Sequence, residues 1–190
     1  MRSETSDRFL RMESAQPKFV LGEIIFLKKE NWRQVMDMYS VRTKQEWQEV
    51  LDSIHEELGM SSTITDKENR VLQFSGERNP LCSKIRSFDE ALTFICSQAQ
   101  QFMAQETKKK KRPLIDACDA GMAKFVVPIF YQGDFVGTLT ACGARVLGTE
   151  LETFVIEKAI KTNGEEIEEL IQQVPQCDEK AITRVVQRLL

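Results

Sequence analysis

The chain holds a single histidine, His55, and that scarcity excludes any metal centre built on paired histidines. A Cys-His catalytic pair would have to recruit the same residue, and nothing in the spacing brings it to a cysteine. No glycine-rich phosphate loop and no nucleophile-elbow motif occurs. Enzymatic function is therefore not expected. Charge of one sign is also lacking, with 26 Lys and Arg against 29 Asp and Glu and a net charge of -3. That balance removes any whole-surface attraction for nucleic acid or an anionic membrane, so direct nucleic-acid binding is not expected. Apolar runs are short, such as residues 125–131, against the ~20 residues that span a bilayer. The charged start, residues 1–8, precedes no long apolar region. A signal peptide is not read there, and a cytoplasmic location is expected. Five cysteines, an odd number, argue against a closed disulfide framework and for reduced thiols.

A chain of 190 residues accommodates one well-cored domain of roughly 140 residues plus an additional element. We place the domain at 46–190 and read 1–45 as an N-terminal helical extension. Within that extension, Phe19 to Tyr39 is amphipathic, includes Trp32, and is the candidate for self-association. Helical spacing recurs at Trp47, Val50, Leu51, Ile54 and Leu58, with Gly59 as the residue closing the helix. His55 falls at the edge of that apolar face and reads as a packing or surface residue. Two strands follow, 61–66 and 71–74, around a polar turn. Ser87 reads as an N-cap with Glu90 in the capping-box position, opening a helix through Leu92, Ile95, Ala99, Phe102 and Met103. Lys108 to Arg112 is a basic run at the end of that helix, where cations complement the backbone dipole. The acidic run 165–169 near a helix start has the same explanation. After Gly148 the pattern is helical over 150–161, 164–174 and 178–190.

The stretch from Leu114 to Leu139 is the most informative. It reads as three consecutive strands, with Cys118 where the first meets its turn. Tyr131-Gln-Gly-Asp134 forms a hairpin bend between 125–130 and 135–139. Pro128 cannot donate a ladder hydrogen bond, which predicts an edge position or a bulge. Alternation from Asp134 would place Phe135, Gly137, Leu139 and Ala141 on one face, and Val136, Thr138 and Thr140 on the other. Either set could face a pocket. The sum is an α+β fold: one antiparallel sheet covered by helices, opening as a PAS- or GAF-like sheet does.

Cys118-Asp-Ala-Gly121, Phe125-Val-Val-Pro-Ile129 and Gly133-Asp-Phe-Val-Gly137, preceded by Asn79-Pro-Leu-Cys-Ser-Lys-Ile-Arg86, resemble the ordered motifs of the PocR sensory-domain family. The resemblance runs from about Trp47 to the C-terminus. It implies a ligand-sensing domain binding a small organic molecule, such as a short-chain diol or another hydrocarbon derivative. Ligands of such sensors sit between sheet and covering helices. The candidate lining is Cys82, Asp116, Cys118, Asp119, Phe125, Thr138 and Thr140. The resemblance also implies a thiol site, because many relatives carry four cysteines in these motifs. Cys82, Cys96 and Cys118 match three of the positions and Ala99 occupies the fourth. Structural zinc and iron–sulfur sites generally take four protein ligands, and Cys142 of the last strand is a thiol that could complete a set. A metal ion held by these cysteines, a reversible thiol switch and inert buried thiols all stay open. Two rival functions follow: a metal- or redox-responsive sensor, and a structural interaction module whose pocket is filled by Phe and Met. Relatives commonly join this domain to a DNA-binding, kinase or chemoreceptor part, and none is read after Leu190. The expectation is a fragment or a stand-alone sensor acting through a homodimer or a signalling partner.

Overall fold

The computed structural model describes residues 37–162 and 164–190. In chain order the elements are α1 (Met38–Val41), α2 (Lys44–Leu58), β1 (Ser61–Asp66), β2 (Val71–Ser75), α3 (Pro80–Arg86) and α4 (Asp89–Ala91). A π-helical stretch (Leu92–Ser97) then leads into α5 (Gln98–Lys110), followed by β3 (Leu114–Ala117), β4 (Ala123–Tyr131) and β5 (Asp134–Val146). The chain ends with α6 (Thr153–Ile160), α7 (Gly164–Gln172), β6 (Gln176–Cys177) and α8 (Glu179–Arg188). Five antiparallel strands form a sheet in the order β2-β1-β5-β4-β3, and β6 adds two residues parallel to the end of β5. The fold is α+β, an antiparallel sheet with helices packed on it. The self-association segment lies outside the described residues, except for Asp37 to Tyr39.

Local chemistry sets the boundaries. Thr43 caps α2 reciprocally: its hydroxyl accepts from the Glu46 amide at 3.2 Å, and the Glu46 carboxylate accepts from the Thr43 amide at 2.7 Å. The far end stops at Gly59 in the left-handed region. Asn79 and Pro80 start α3, where Asn79 Oδ1 accepts from the Cys82 amide at 2.8 Å. This earlier start corrects the assignment of Ser87. It closes α3, its hydroxyl donating to the Lys84 carbonyl at 2.7 Å, while Phe88 heads α4 without a side-chain cap. Between β4 and β5, Gln132 (φ 51°) and Gly133 (φ 91°) both take positive φ. That is the two-residue bend whose twist matches the strands it joins.

The first core lies on the sheet face covered by α2 and α8. Trp47, Leu51, Ile54 and Leu58 of α2 and Ile182, Val185 and Val186 of α8 pack there with Ile64, Phe125, Val127, Leu139 and Ala141. The Trp47 indole donates to the Met38 carbonyl at 2.7 Å and so ties α1 into this core. A second core joins Leu81 and Ile85 of α3, Ile95, and Ala120 and Met122 of the β3–β4 turn to Ile156, Ile160 and Ile167 of α6 and α7.

Two bulges decide which strand residues face which side. Phe130 pairs with Phe135 and Ile129 with Gly137, so Val136 is an extra residue opposite none. The face alternation flips there. Val136 joins the core under α2, whereas Phe135 stacks edge-on against Phe130, and the Lys108 ammonium of α5 lies 4.8 Å from its ring. Phe135 therefore does not share a face with Leu139 and Ala141 as unbroken alternation predicted. The second bulge is at Gly143, where Ala123 pairs with Ala144 and Lys124 with Cys142. Pro128 sits beyond the last β3 partner of β4, Val126, and one residue before the first of these shifts. It keeps a β5 partner, Thr138, and has none on β3, so one of its sides is an open edge.

Gly137 is fixed by crowding. A Cβ there would stand 2.0 Å from the Thr65 carbonyl oxygen and 2.8 Å from the Met38 sulfur. The final glycine of the Gly-x-x-apolar-Gly motif is thus required by the approach of β1 and α1.

Candidate functional site

The second face of the sheet carries a polar row. Because β1 alternates, Ser62 and Ile64 point under α2, and Ser61, Thr63 and Thr65 point the other way, in register with Cys142, Thr140 and Thr138 of β5. Thr65 and Thr138 hydroxyls bond to each other at 2.8 Å, and the Gln100 amide of α5 donates to Thr140 at 3.1 Å. Lys124 of β4 extends the row. Over it stand α3, the π-helical stretch and the start of α5, contributing Ile85, Leu92, Ile95 and Cys96. Between floor and roof lies a cavity of about 370 Å³. Its chemistry is mixed, with hydroxyls and Lys124 on the sheet side and Ile85, Leu92 and Ile95 beside Arg86, Ser97 and Gln100 on the helical side, the composition small-molecule sites commonly show.

The π-helical stretch matters to that geometry. A wider turn displaces side chains relative to an ideal α-helix, and such insertions often mark functional positions. Here it delivers Leu92, Ile95 and Cys96 to the cavity and leaves Phe94 exposed. Asn79 fixes the other part of the roof: besides capping α3, its amide donates to the Gly143 carbonyl at 2.6 Å, clamping α3 to the bulge in β5.

Of the residues expected to line a pocket, Cys82, Cys118 and Thr140 do so. Thr138 lies on the same face but is buried against Thr65. Phe125 points through the sheet into the core under α2. Asp116 and Asp119 are exposed, and Asp116 accepts from the neighbouring Ala117 amide at 2.8 Å. Sequence reasoning passed over Ser61, Thr63, Thr65, Gln100 and Lys124. The signal for the first three was the polar parity of β1, and for Lys124 it was a lone cation inside an apolar strand. The roof had no comparable signal, since no spacing rule reveals a π-helical turn.

The thiol site is a correction. Among the described residues no group of three or more His, Cys, Asp or Glu side chains could hold a metal ion. Cys82, Cys96 and Cys118 thus do not form the metal centre the resemblance implied, although they and Cys142 each line the cavity. They come from three elements: Cys82 contacts the Met122 sulfur at 3.5 Å, Cys96 lies beside Arg86, and Cys118 begins the β3–β4 turn. Burial pushes the pKa of Cys82, Cys96 and Cys118 up, which favours the neutral thiol and slows its redox exchange. The Cys118 turn serves the fold. Its amide donates to the Met122 carbonyl at 2.9 Å, and Ala120, fully buried, accepts from the Glu152 amide at 3.1 Å. His55 bonds the Met60 carbonyl through Nδ1 at 3.1 Å and is not among the residues that line the cavity.

An α+β domain with a two-sided cavity between sheet and helical roof has the build of a small-molecule receptor domain. The family model for the sensory domain found in PocR matches residues 40–190, and the chain belongs to this family. Neither a curated protein nor a solved structure matches the chain. Membership implies small-molecule sensing. No helix among the described residues is long and apolar enough to cross a membrane.

Proposed function

We propose that the cavity over β1, β4 and β5 is the sensory site and takes a small organic ligand, with oxygen atoms on the hydroxyl row and carbon atoms against Ile85, Leu92 and Ile95. The observation that carries this reading is the cavity itself, about 370 Å³ between a hydroxyl row on the sheet and helices that bring Ile85, Leu92 and Ile95 to it. A short-chain diol or related hydrocarbon derivative, the class the family resemblance suggests, is compatible with its size and hydroxyl lining. Cys82, Cys118 and Thr140 are ligand contacts in this proposal.

Helix α3 is the element through which occupancy would be felt. Ile85 and Cys82 touch the cavity, while Leu81 and Ile85 also pack with α6 and α7, and the Lys84 ammonium meets Glu166 of α7 at 2.8 Å. A ligand that alters the seat of α3 biases the packing of the C-terminal helices, provided it binds the two arrangements with different affinity. Output would then pass through association with a partner or a second copy. The open volume speaks against the rival in which Phe and Met fill the pocket.

The test is thermal unfolding with a panel of short alcohols, diols and acids, on the wild-type chain and on Thr63→Phe, which fills the cavity from the floor. A true ligand at 100 times its Kd stabilises by about 2.7 kcal/mol, and Thr63→Phe should abolish that gain while remaining folded. Stabilisation that survives Thr63→Phe would place the ligand elsewhere.

A further inference from the structure

The cavity contains a cation without a counter-charge. Lys124 is 5 % exposed, and its ammonium makes no ion pair or hydrogen bond within the chain among the described residues. Its position on β4 is opposite Asp116 of β3, but that carboxylate is exposed at the sheet edge and accepts from the Ala117 amide. The side chain points under the roof, where its charge acts on the Cys96 thiol. Arg78 and Arg86 line the same cavity at more exposed positions. No Asp or Glu is among the lining residues. Three cations therefore converge on one space without an anion.

A buried ammonium is costly unless an opposite charge and hydrogen-bond acceptors reach it. Surface lysines avoid that cost by extending into bulk water, whereas Lys124, on a strand paired on both sides, opens onto the cavity. An occupant supplying the missing anion would convert an unfavourable burial into a charge-assisted hydrogen bond. Ile85, Leu92 and Ile95 on the helical side argue against a fully hydrated inorganic ion. Placed together, these features call for an amphipathic molecule with its charged end on the floor.

We infer that the sensed molecule is a small organic carboxylate, its carboxylate bound by the Lys124 ammonium and its carbon chain against Leu92 and Ile95. This rests on the cavity being the sensory site and narrows the class of ligand. A hydroxy acid would use the threonine row in addition, which reconciles the diol-like hydroxyl lining with the unpaired charge.

The experiment is calorimetric titration of the full chain at fixed ionic strength with propanoate, butanoate, hexanoate and lactate. The matched neutral probes are propane-1,2-diol, butan-1-ol and hexan-1-ol, with inorganic phosphate as the bare anion. Amide chemical-shift mapping locates the bound probe. The expected result is a carboxylate binding at least about tenfold tighter than the alcohol of equal length, with shifts at Thr63, Lys124 and Thr140. Lys124→Met should weaken the carboxylate by about 10- to 100-fold and leave the alcohol unchanged, while Lys124→Arg restores most of the loss. Neutral probes binding in the cavity as tightly as the acids would overturn the inference and leave the sensory site standing. So would a carboxylate indifferent to both Lys124 variants, or phosphate binding alone. Shifts confined to residues outside the cavity, or no binding by any probe, would overturn the sensory-site reading as well. The mapping uses wild-type protein and stands even if Lys124→Met does not fold.

Discussion

Replacing Gly137 by alanine tests whether the last motif glycine serves the ligand or the fold. The added Cβ would lie 2.0 Å from the Thr65 carbonyl oxygen, well inside contact distance, and 2.8 and 3.0 Å from the Met38 sulfur and Cγ. The Met38 side chain can move aside, but the Thr65 carbonyl belongs to a strand paired with β5 along its whole length. Relief therefore requires separating β1 from β5 at the centre of the sheet. Overpacking of a tight core costs about 1–3 kcal/mol where side chains can yield, and backbone displacement puts this site at the top of that range, about 3 kcal/mol or more. For a domain of this size each kcal/mol lowers Tm by about 2–4 °C, so the expected fall is about 6–12 °C. Gly133 in the same motif supplies the control. A Cβ there meets nothing within 4 Å, and only its positive φ is at stake, which costs alanine about 1–2 kcal/mol. Urea unfolding of both variants, and of Gly137→Ala combined with Met38→Ala, measures the difference. The double variant should recover little, because the carbonyl is the principal obstacle. Equal losses for the two glycines, or full rescue by Met38→Ala, would refute the argument.

Asn79→Ala removes a helix cap and the bond to the Gly143 carbonyl together. The expected loss is about 2–4 kcal/mol in urea unfolding, with amide exchange in α3 rising more than in α2; uniform exchange would contradict the clamp. Trp47→Phe leaves the Met38 carbonyl without its indole donor inside a core, for a cost of about 1–3 kcal/mol, and α1 should lose protection first. Burial holds the thiol pKa of Cys82, Cys96 and Cys118 above the unfolded value, which is about 8.5. Above that value the native state retains more protons than the unfolded one, so stability is intact at lower pH and declines as pH rises past about 8.5. Cys82→Ala should flatten the decline, and iodoacetamide at pH 8 should label these three thiols far more slowly in native than in unfolded protein. Native labelling at the unfolded rate would revive a redox role.

Much of the fold was legible because its signals are short-ranged. The turn glycine at 133, the helical spacing from Trp47 to Leu58 and the strand runs 61–66 and 71–74 each express a preference set within one turn or one strand. The ordered motifs around Cys118, Pro128 and Gly137 marked the family, although Gly137 answers to β1 and α1, which are distant in sequence. Prediction failed where one added residue changes direction. The bulge at Val136 sent Phe135 to the opposite face, and the helix begun by Asn79 and Pro80 turned Ser87 from a start into a stop.

The chain by itself determined an α+β domain, its strands and most of its helices, since backbone dihedral preference and hydrophobic period are properties of neighbouring residues. Only the tertiary structure decided the site. Lys124 became a buried, unpaired charge because β4 lies inside the sheet and α3 and the π-helical stretch close over it. Cys82, Cys96 and Cys118 line one cavity without forming a metal-holding group among the described residues, because the direction of each side chain depends on how distant segments pack.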